Sequence, residues 1–209
     1  MIACKATGRT GVGIELVPQW IDISKRRVHG VDLPLFQNIQ LGDVERSDQE
    51  IIEGDARIVL KSYNDESFDF IVTSPPYWKI LHKDKDHKVT RERTEKGLEA
   101  KYSELESDLG NIKSYSEFLS ELQRVFTECY RVQKTGKYMC VIVSDFRDKG
   151  EFILYHTHIS YIVKKCGYKL QGITILVQDN KNLYPYGIPY AFVSNINHQY
   201  ILIFQKKNK

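Results

Sequence analysis

The sequence has no apolar run near the roughly 20 residues needed to cross a bilayer, and no signal-peptide core at its N-terminus. That argues against a membrane protein and points to the cytoplasm. Cysteine is sparse: Cys4, Cys129, Cys140 and Cys166 lie far apart with no CxxC pair, which signals neither a zinc site nor a disulfide framework. No metal is expected, and the four thiols read as buried and reduced. An excess of one charge is missing too. Thirty Lys and Arg stand against 27 Asp and Glu, a net charge of +3 that permits a nucleic-acid partner without implying one. Repeats and low-complexity tracts are absent. With 42% hydrophobic and 27% charged residues in 209, the chain reads as one folded domain over 1–209 and not as a disordered or fibrous protein.

What is present alternates between strand and helix. Met1 to Thr7 reads as a helix end stopped by Gly8. Gly11-Val12-Gly13-Ile14-Glu15-Leu16 is short, apolar and β-branched, a buried strand, and Pro18 suits the first turn of the helix after it. Residues 30 to 48 read as loop. Further strands run over residues 50–54, into Asp55, and over residues 68–73, into Ser74-Pro75-Pro76-Tyr77-Trp78. Residues 82 to 113 break the pattern with dense, mixed charge and little apolar periodicity, and form a charged insertion. A long helix follows, with Tyr115, Phe118, Leu119, Leu122, Val125, Phe126, Cys129 and Val132 at helical spacing and Ser114 or Ser116 as cap. Strands over residues 138–143, 168–178 and 199–204, with a helix over residues 152–166, complete an α/β chain. Its sheet is expected to be mainly parallel and covered on both faces.

Ser74-Pro75-Pro76-Tyr77 is the sharpest chemical signal. Two successive prolines donate no N–H and lock φ, so the turn is stiff and its carbonyls stay free as acceptors. Ser74 adds a side-chain acceptor and Tyr77 a flat π-face. Together they form a slot that accepts hydrogen bonds from a planar amine and stacks on the ring bearing it. A turn that merely ends a strand is the plain alternative, but the position after Phe70-Ile71-Val72 and 20 residues beyond an acidic strand end favours chemistry.

Residues Ile71 to Trp78 resemble motif IV of the amino-directed DNA methyltransferases, which methylate cytosine N4 or adenine N6 using S-adenosylmethionine. The resemblance covers almost the whole chain. Residues Gly11 to Leu16, with Pro18 and Trp20, look like the family's second strand and following helix, which makes Glu15 the ligand of the cofactor ribose. Gly54-Asp55-Ala56 is similar to the third motif, whose Asp lies beside the cofactor adenine. Asp55 also suits a helix N-cap, and the two roles are compatible. Taken alone, Glu15 reads as a capped or salt-bridged strand end, the usual place of a lone acidic residue there, and Asp145 as a turn residue or a pocket wall. His198 reads as a satisfied strand histidine. Asn197 to Phe204 fits the last strand, although Gln199 stands where the family often has Glu.

The resemblance implies a Rossmann-like class I methyltransferase sheet with catalytic residues Ser74, Pro75, Pro76 and Tyr77. The cofactor would lie against Glu15, Asp55, Ala56 and Ser74. The family's glycine-rich cofactor loop and the strand leading into it are not found, so the sheet is expected to lack its first, central strand and the chain to be N-terminally truncated relative to the family. Gly11-x-Gly13 falls within a strand and is no substitute. The implied partner is double-stranded DNA with a flipped target base, with Tyr77 as stacking platform. Trp78 reads as entrance or as core. Lys83, Lys85, Arg91 and Arg93 read as phosphate contacts or as a solvated loop. Ser before Pro-Pro-Tyr leans to cytosine N4 over adenine N6. Methylation of an RNA base or protein amide, an inactive relic, and half of a split enzyme needing a complementing chain are the alternatives. A cognate restriction endonuclease is a further implied partner.

Overall fold

The computed structural model describes residues 1–29, 48–81, 103, 105–179, 181–185, 189 and 192–208. They fall into two compact units, Met1–Ser62 and Tyr63–Lys209. The expected loop at 30–48 lies outside the described residues except for Asp48, and so do Lys83, Lys85, Arg91 and Arg93.

In the first unit, helix α1 (Ile2–Ala6) ends at Thr7, and Gly8 follows with φ +65°. Strand β1 (Gly11–Glu15) leads to helix α2 (Pro18–His29), and strand β2 (Gln49–Glu53) pairs with β1 in parallel, Glu15 opposite Glu53. The two glycines of β1 make room for α1. A Cβ on Gly11 would lie 3.1 Å from the Cys4 side chain, and one on Gly13 would lie 3.1 Å from Met1. The glycine spacing therefore serves close packing and not phosphate binding. A short helix, α3 (Ala56–Val59), starts at the Asp55 cap. Ala6, Ile21, Val28 and Leu60 are buried, and Lys5 Nζ donates to the Val28 carbonyl. β1 is half-buried and not buried as expected, and among the described residues it pairs with β2 alone.

The second unit holds a four-stranded sheet in the order β3-β4-β8-β7, from β3 (Phe68–Thr73), β4 (Gln133–Val143), β7 (Lys169–Val177) and β8 (His198–Gln205). β3 and β4 are parallel, whereas β8 runs antiparallel to both β4 and β7. The expected mainly parallel sheet is thus mixed among the described residues. β7 returns to β8 with no helix described between them, and a parallel pair needs a long crossover. Between Phe68–Gln133 and Phe70–Tyr138 the register jumps, and Gly136 takes the left-handed conformation at that bulge (φ +81°).

Helices α4 (Tyr115–Val132) and α5 (Tyr155–Lys165) pack on each other and on one face of this sheet. Ser114 caps α4 as expected, accepting from the Glu117 N–H. Phe118, Leu122, Phe126, Val132, Ile159 and Val163 close over Met139, Val141, Val143, Leu202 and Phe204. Alternation then sends Phe70, Val72 and Tyr138 to the other face, where they are 56%, 58% and 43% exposed. That face is open at these residues, not covered as expected. Nor do the described residues form one sheet: β1 pairs only with β2, and β3 only with β4. The outer edges of β1 and β3 meet no described strand.

Two local expectations change. The helix expected from residue 152 begins at Tyr155, because β5 (Phe146–Asp148) and β6 (Glu151–Ile153) form a hairpin across Lys149-Gly150, both with positive φ. Of the four cysteines, only Cys129 is buried, and burial pushes its thiol up to about 12. No described helix is long and apolar enough to cross a membrane.

Candidate functional site

The site in the second unit begins where β3 ends. Pairing of Thr73 with Val141 carries Ser74 alongside Ile142 of β4, and Ser74 Oγ donates to the Ile142 carbonyl at 3.0 Å. A carbonyl can only accept, so the Ser74 hydrogen is committed there. Toward anything arriving from solvent, the exposed Ser74 presents lone pairs.

Pro75 is buried, and among the described residues no donor is directed at its carbonyl. The expectation that both proline carbonyls stay free is corrected for Pro76, whose carbonyl accepts from Tyr155 Oη at 2.8 Å. The Tyr155 ring is fully buried and lies 5.8 Å from the Tyr77 ring. The Tyr77 phenol accepts from Gln199 Nε2 at 3.1 Å. Burial raises the Tyr77 pKa above its ordinary value, against the opposing pull of polar groups led by Gln199.

Trp78 has φ +48°, a conformation side chains adopt only when neighbours enforce it. Its Nε1 donates to the Ile112 carbonyl at 2.9 Å, and its ring lies 5.0 Å from Tyr115. Trp78 is therefore anchored against the end of the charged segment. That end, 105–113, is built: buried Asp108 accepts from Gly110 N–H and from Ser103 Oγ.

Past the end of β4, Asp145 is a bracing residue. Its buried carboxylate accepts from the His156 backbone N–H at 3.1 Å and pairs with His156 Nδ1 at 2.7 Å, capping α5 from outside. The His156 ring stacks on Tyr200 at 4.0 Å. His198 is a strand residue packed edge-on against Tyr200, as read from the sequence.

Glu15 and Asp55 stand in the first unit, just at or beyond the C-terminal ends of adjacent parallel strands, where open α/β sheets bind ligands. Glu15 Oε1 accepts from its own Val17 N–H at 2.9 Å, and its other oxygen has no donor among the described residues. Asp55 caps α3 through Arg57 N–H at 2.8 Å, and both its oxygens are held by the Arg57 guanidinium. Burial works to raise the Asp55 pKa, but the Arg57 bonds and charge outweigh it and hold the carboxyl below its ordinary value. Glu15 thus keeps one carboxylate oxygen with no donor among the described residues. Asp55 is already partnered, and Ala56 opens the helix beside it.

Sequence reasoning did not assign Tyr155, Ile142 or His156 to the site. Gln199 stood out only as a departure from Glu.

The fold is that of an α/β methyltransferase, with Ser74-Pro75-Pro76-Tyr77 at the end of β3. Residues 68–209 match the N6/N4 methyltransferase family described as DNA methylase, and the chain belongs to that family. No curated protein matches the chain. Among solved structures, a candidate DNA modification methylase of Thermus thermophilus, complexed with S-adenosyl-L-methionine, is 26% identical (TM-score 0.51), over 75% of this chain and 54% of that one. The chain thus spans about half the length of that relative. A SAM-dependent methyltransferase of Methanosarcina mazei shares the fold over 99% of this chain and 86% of its own (14% identity, TM-score 0.53). So does the PvuII cytosine-N4-specific DNA methyltransferase, over 74% and 48% (16% identity, TM-score 0.50).

Proposed function

We propose that the chain is a DNA methyltransferase that transfers a methyl group from S-adenosylmethionine to an exocyclic amine, cytosine N4 in preference to adenine N6. Both units would serve one methyltransferase domain. The observation that carries this reading is the polarity of the slot. With its hydrogen on Ile142, Ser74 accepts and does not donate, and the Pro75 carbonyl beside it is a second acceptor. An NH2 group satisfies both, whereas a ring carbonyl satisfies neither.

An exocyclic amine is a weak nucleophile because its lone pair is conjugated into the ring. Two acceptors at the N–H bonds favour a more tetrahedral nitrogen and free that pair, so the residues act by positioning and electrostatics. S-adenosylmethionine, when bound, supplies an electrophilic methyl whose bond to sulfur breaks as its bond to nitrogen forms, the pair returning to sulfur and the surplus proton passing to water. Glu15 would hold its ribose, and engagement of Asp55 would require Arg57 to yield. The target base, paired within the duplex, would flip out to meet Tyr77. Incubating DNA with labelled S-adenosylmethionine and digesting to nucleosides tests the reading. N4-methylcytosine is expected. N6-methyladenine alone overturns the base preference, and no labelled nucleoside overturns the activity of the chain by itself.

A second reading, that activity needs a complementing chain or segment, is favoured by one observation. Phe70 and Val72 lie exposed on a strand whose outer edge meets no described strand. Activity that appears only when an apolar strand with a Gly-x-Gly turn is added would select it.

A further inference from the structure

We propose that Trp78 is a positioning residue whose task is to hold a left-handed bend directly after Tyr77, and that the turn at 105–113 supplies the hold. The effect on rate rests on the methyl-transfer reading of the slot, but the premises are geometric.

Among the described residues, three besides glycine have positive φ: Glu66, Trp78 and Lys149. Glu66 and Lys149 sit in turns. Trp78 adjoins the slot, and it carries the bulkiest side chain of the three. At φ +48° its Cβ crowds the following carbonyl oxygen. That makes the conformation about 5 to 30 times rarer than a right-handed one, a penalty that Gly escapes and Asn largely does. Neighbours must therefore hold Trp78. Its Nε1 donates to the Ile112 carbonyl at 2.9 Å, and its half-buried ring lies 5.0 Å from Tyr115. Neither neighbour yields easily. The turn presenting Ile112 is closed on itself, with Asn111 Nδ2 donating to the Ser103 and Leu105 carbonyls at 3.1 and 2.8 Å beside buried Asp108. Tyr115 opens α4, and its hydroxyl lies 2.7 Å from His158 Nδ1 on α5.

The bend decides where Tyr77 stands. φ at 78 sets the direction in which the chain leaves Tyr77, as the Pro76 carbonyl, bonded to Tyr155, sets the direction in which it arrives. With both sides fixed, the phenol meets Gln199 at 3.1 Å and the ring lies 5.8 Å from Tyr155. A glycine at 78 would adopt the bend freely and leave it as freely. Trp78 takes it only while Ile112 and Tyr115 grip the indole, so the place of Tyr77 depends on a carbonyl 34 positions further along the chain.

The test compares wild type with Trp78→Gly, Trp78→Asn, Trp78→Ala and Trp78→Val, all of which lose the indole and its bond. If the ring itself served the slot, the four would lose alike. With the bend as its purpose, they rank by tolerance of the left-handed conformation. In Gly and Asn kcat is expected to fall about twofold to fivefold, in Ala at least about tenfold and in Val further, with KM for DNA within about twofold of wild type throughout. Tyrosines carrying carbon-13 at Cζ, with Tyr77→Phe to assign the signal, give a readout free of catalysis. The Tyr77 resonance should stay near its wild-type position in Gly and Asn and move in Ala and Val. Should Trp78→Val fail to fold, the comparison of Asn with Ala carries the test. If wild type transfers methyl and the four lose kcat equally or in order of side-chain size, or the resonance is the same in all, the proposal is overturned and the slot reading stands. If the resonance follows the expected order but wild type transfers no methyl, the bend stands and the methyl-transfer reading fails.

Discussion

Replacing Tyr155 by Phe removes one oxygen and leaves the ring in place. That ring is fully buried, 5.5 Å from Phe146, 5.8 Å from Tyr77 and 6.2 Å from Phe118, so the apolar packing should survive the change. What is lost is the 2.8 Å bond to the Pro76 carbonyl. An unsatisfied buried acceptor costs about 1–3 kcal/mol. Pro76 is half-buried and water can reach part of the vacated position, which places the cost near the lower end, about 1 kcal/mol. With a urea m-value of about 2 kcal/mol/M, the midpoint should fall by about 0.5 M. Tyr155→Ala also opens a cavity and should cost about 3–5 kcal/mol. The Pro76 carbonyl precedes Tyr77 directly, so Tyr155→Phe should also lower kcat more than its small stability loss accounts for. Urea denaturation followed by circular dichroism, with methyl transfer on the same preparations, checks both parts. A Phe variant with an unchanged midpoint, or one as unstable as the Ala variant, would refute the assignment of the hydroxyl as the brace of the Pro-Pro turn.

The remaining predictions address the slot, the cofactor side and the brace behind them. Tyr77→Phe should lower methyl transfer about fivefold, and Tyr77→Ala by a further ten- to hundredfold, since a stacking platform is worth about 1–3 kcal/mol per base; equal loss in both would remove the stacking role. Glu15→Gln should weaken S-adenosylmethionine binding at least fivefold in calorimetry with the melting temperature unchanged, and equal affinity would take Glu15 out of the ribose site. Asp145→Ala strands the His156 N–H and ring that its carboxylate now holds, and should cost about 2–3 kcal/mol in urea denaturation; a neutral result would mean that α5 does not depend on this external cap.

Strand β3 was legible to the residue because Pro75 cannot continue a ladder, and α4 because a serine cap precedes an apolar stripe of helical period. The hairpin at residues 146–153 was not, since two three-residue strands are too short to show alternation. Its one local sign was Lys149-Gly150, a turn pair with glycine at the position where positive φ is easiest. The slot was legible as a motif but not as a set of contacts. Nothing near Pro76 announces that its carbonyl is taken by a tyrosine 79 positions on, and nothing near Asp55 distinguishes a cofactor ligand from a cap closed by Arg57. Such pairings arise from tertiary packing, which leaves no period in the chain.

The polarity of the slot shows how little of a site its motif need encode. Ser74 becomes an acceptor because of where its hydrogen goes, and it goes to a backbone carbonyl that any residue at 142 would supply. What the fold must provide is the register, Thr73 against Val141, that brings this carbonyl alongside. A slip of one residue between β3 and β4 would turn every side chain of β3 to the opposite face, exchanging Phe70 and Val72 for Ile71 and Thr73. The alternation that buries Met139, Val141 and Val143 under α4 and α5 therefore also holds the chemistry in place, because the core resists the slip that would dismantle the slot. Ser-Pro-Pro-Tyr at the end of a strand with no parallel neighbour would keep the same four side chains and lose this fixed polarity, free to donate as readily as to accept.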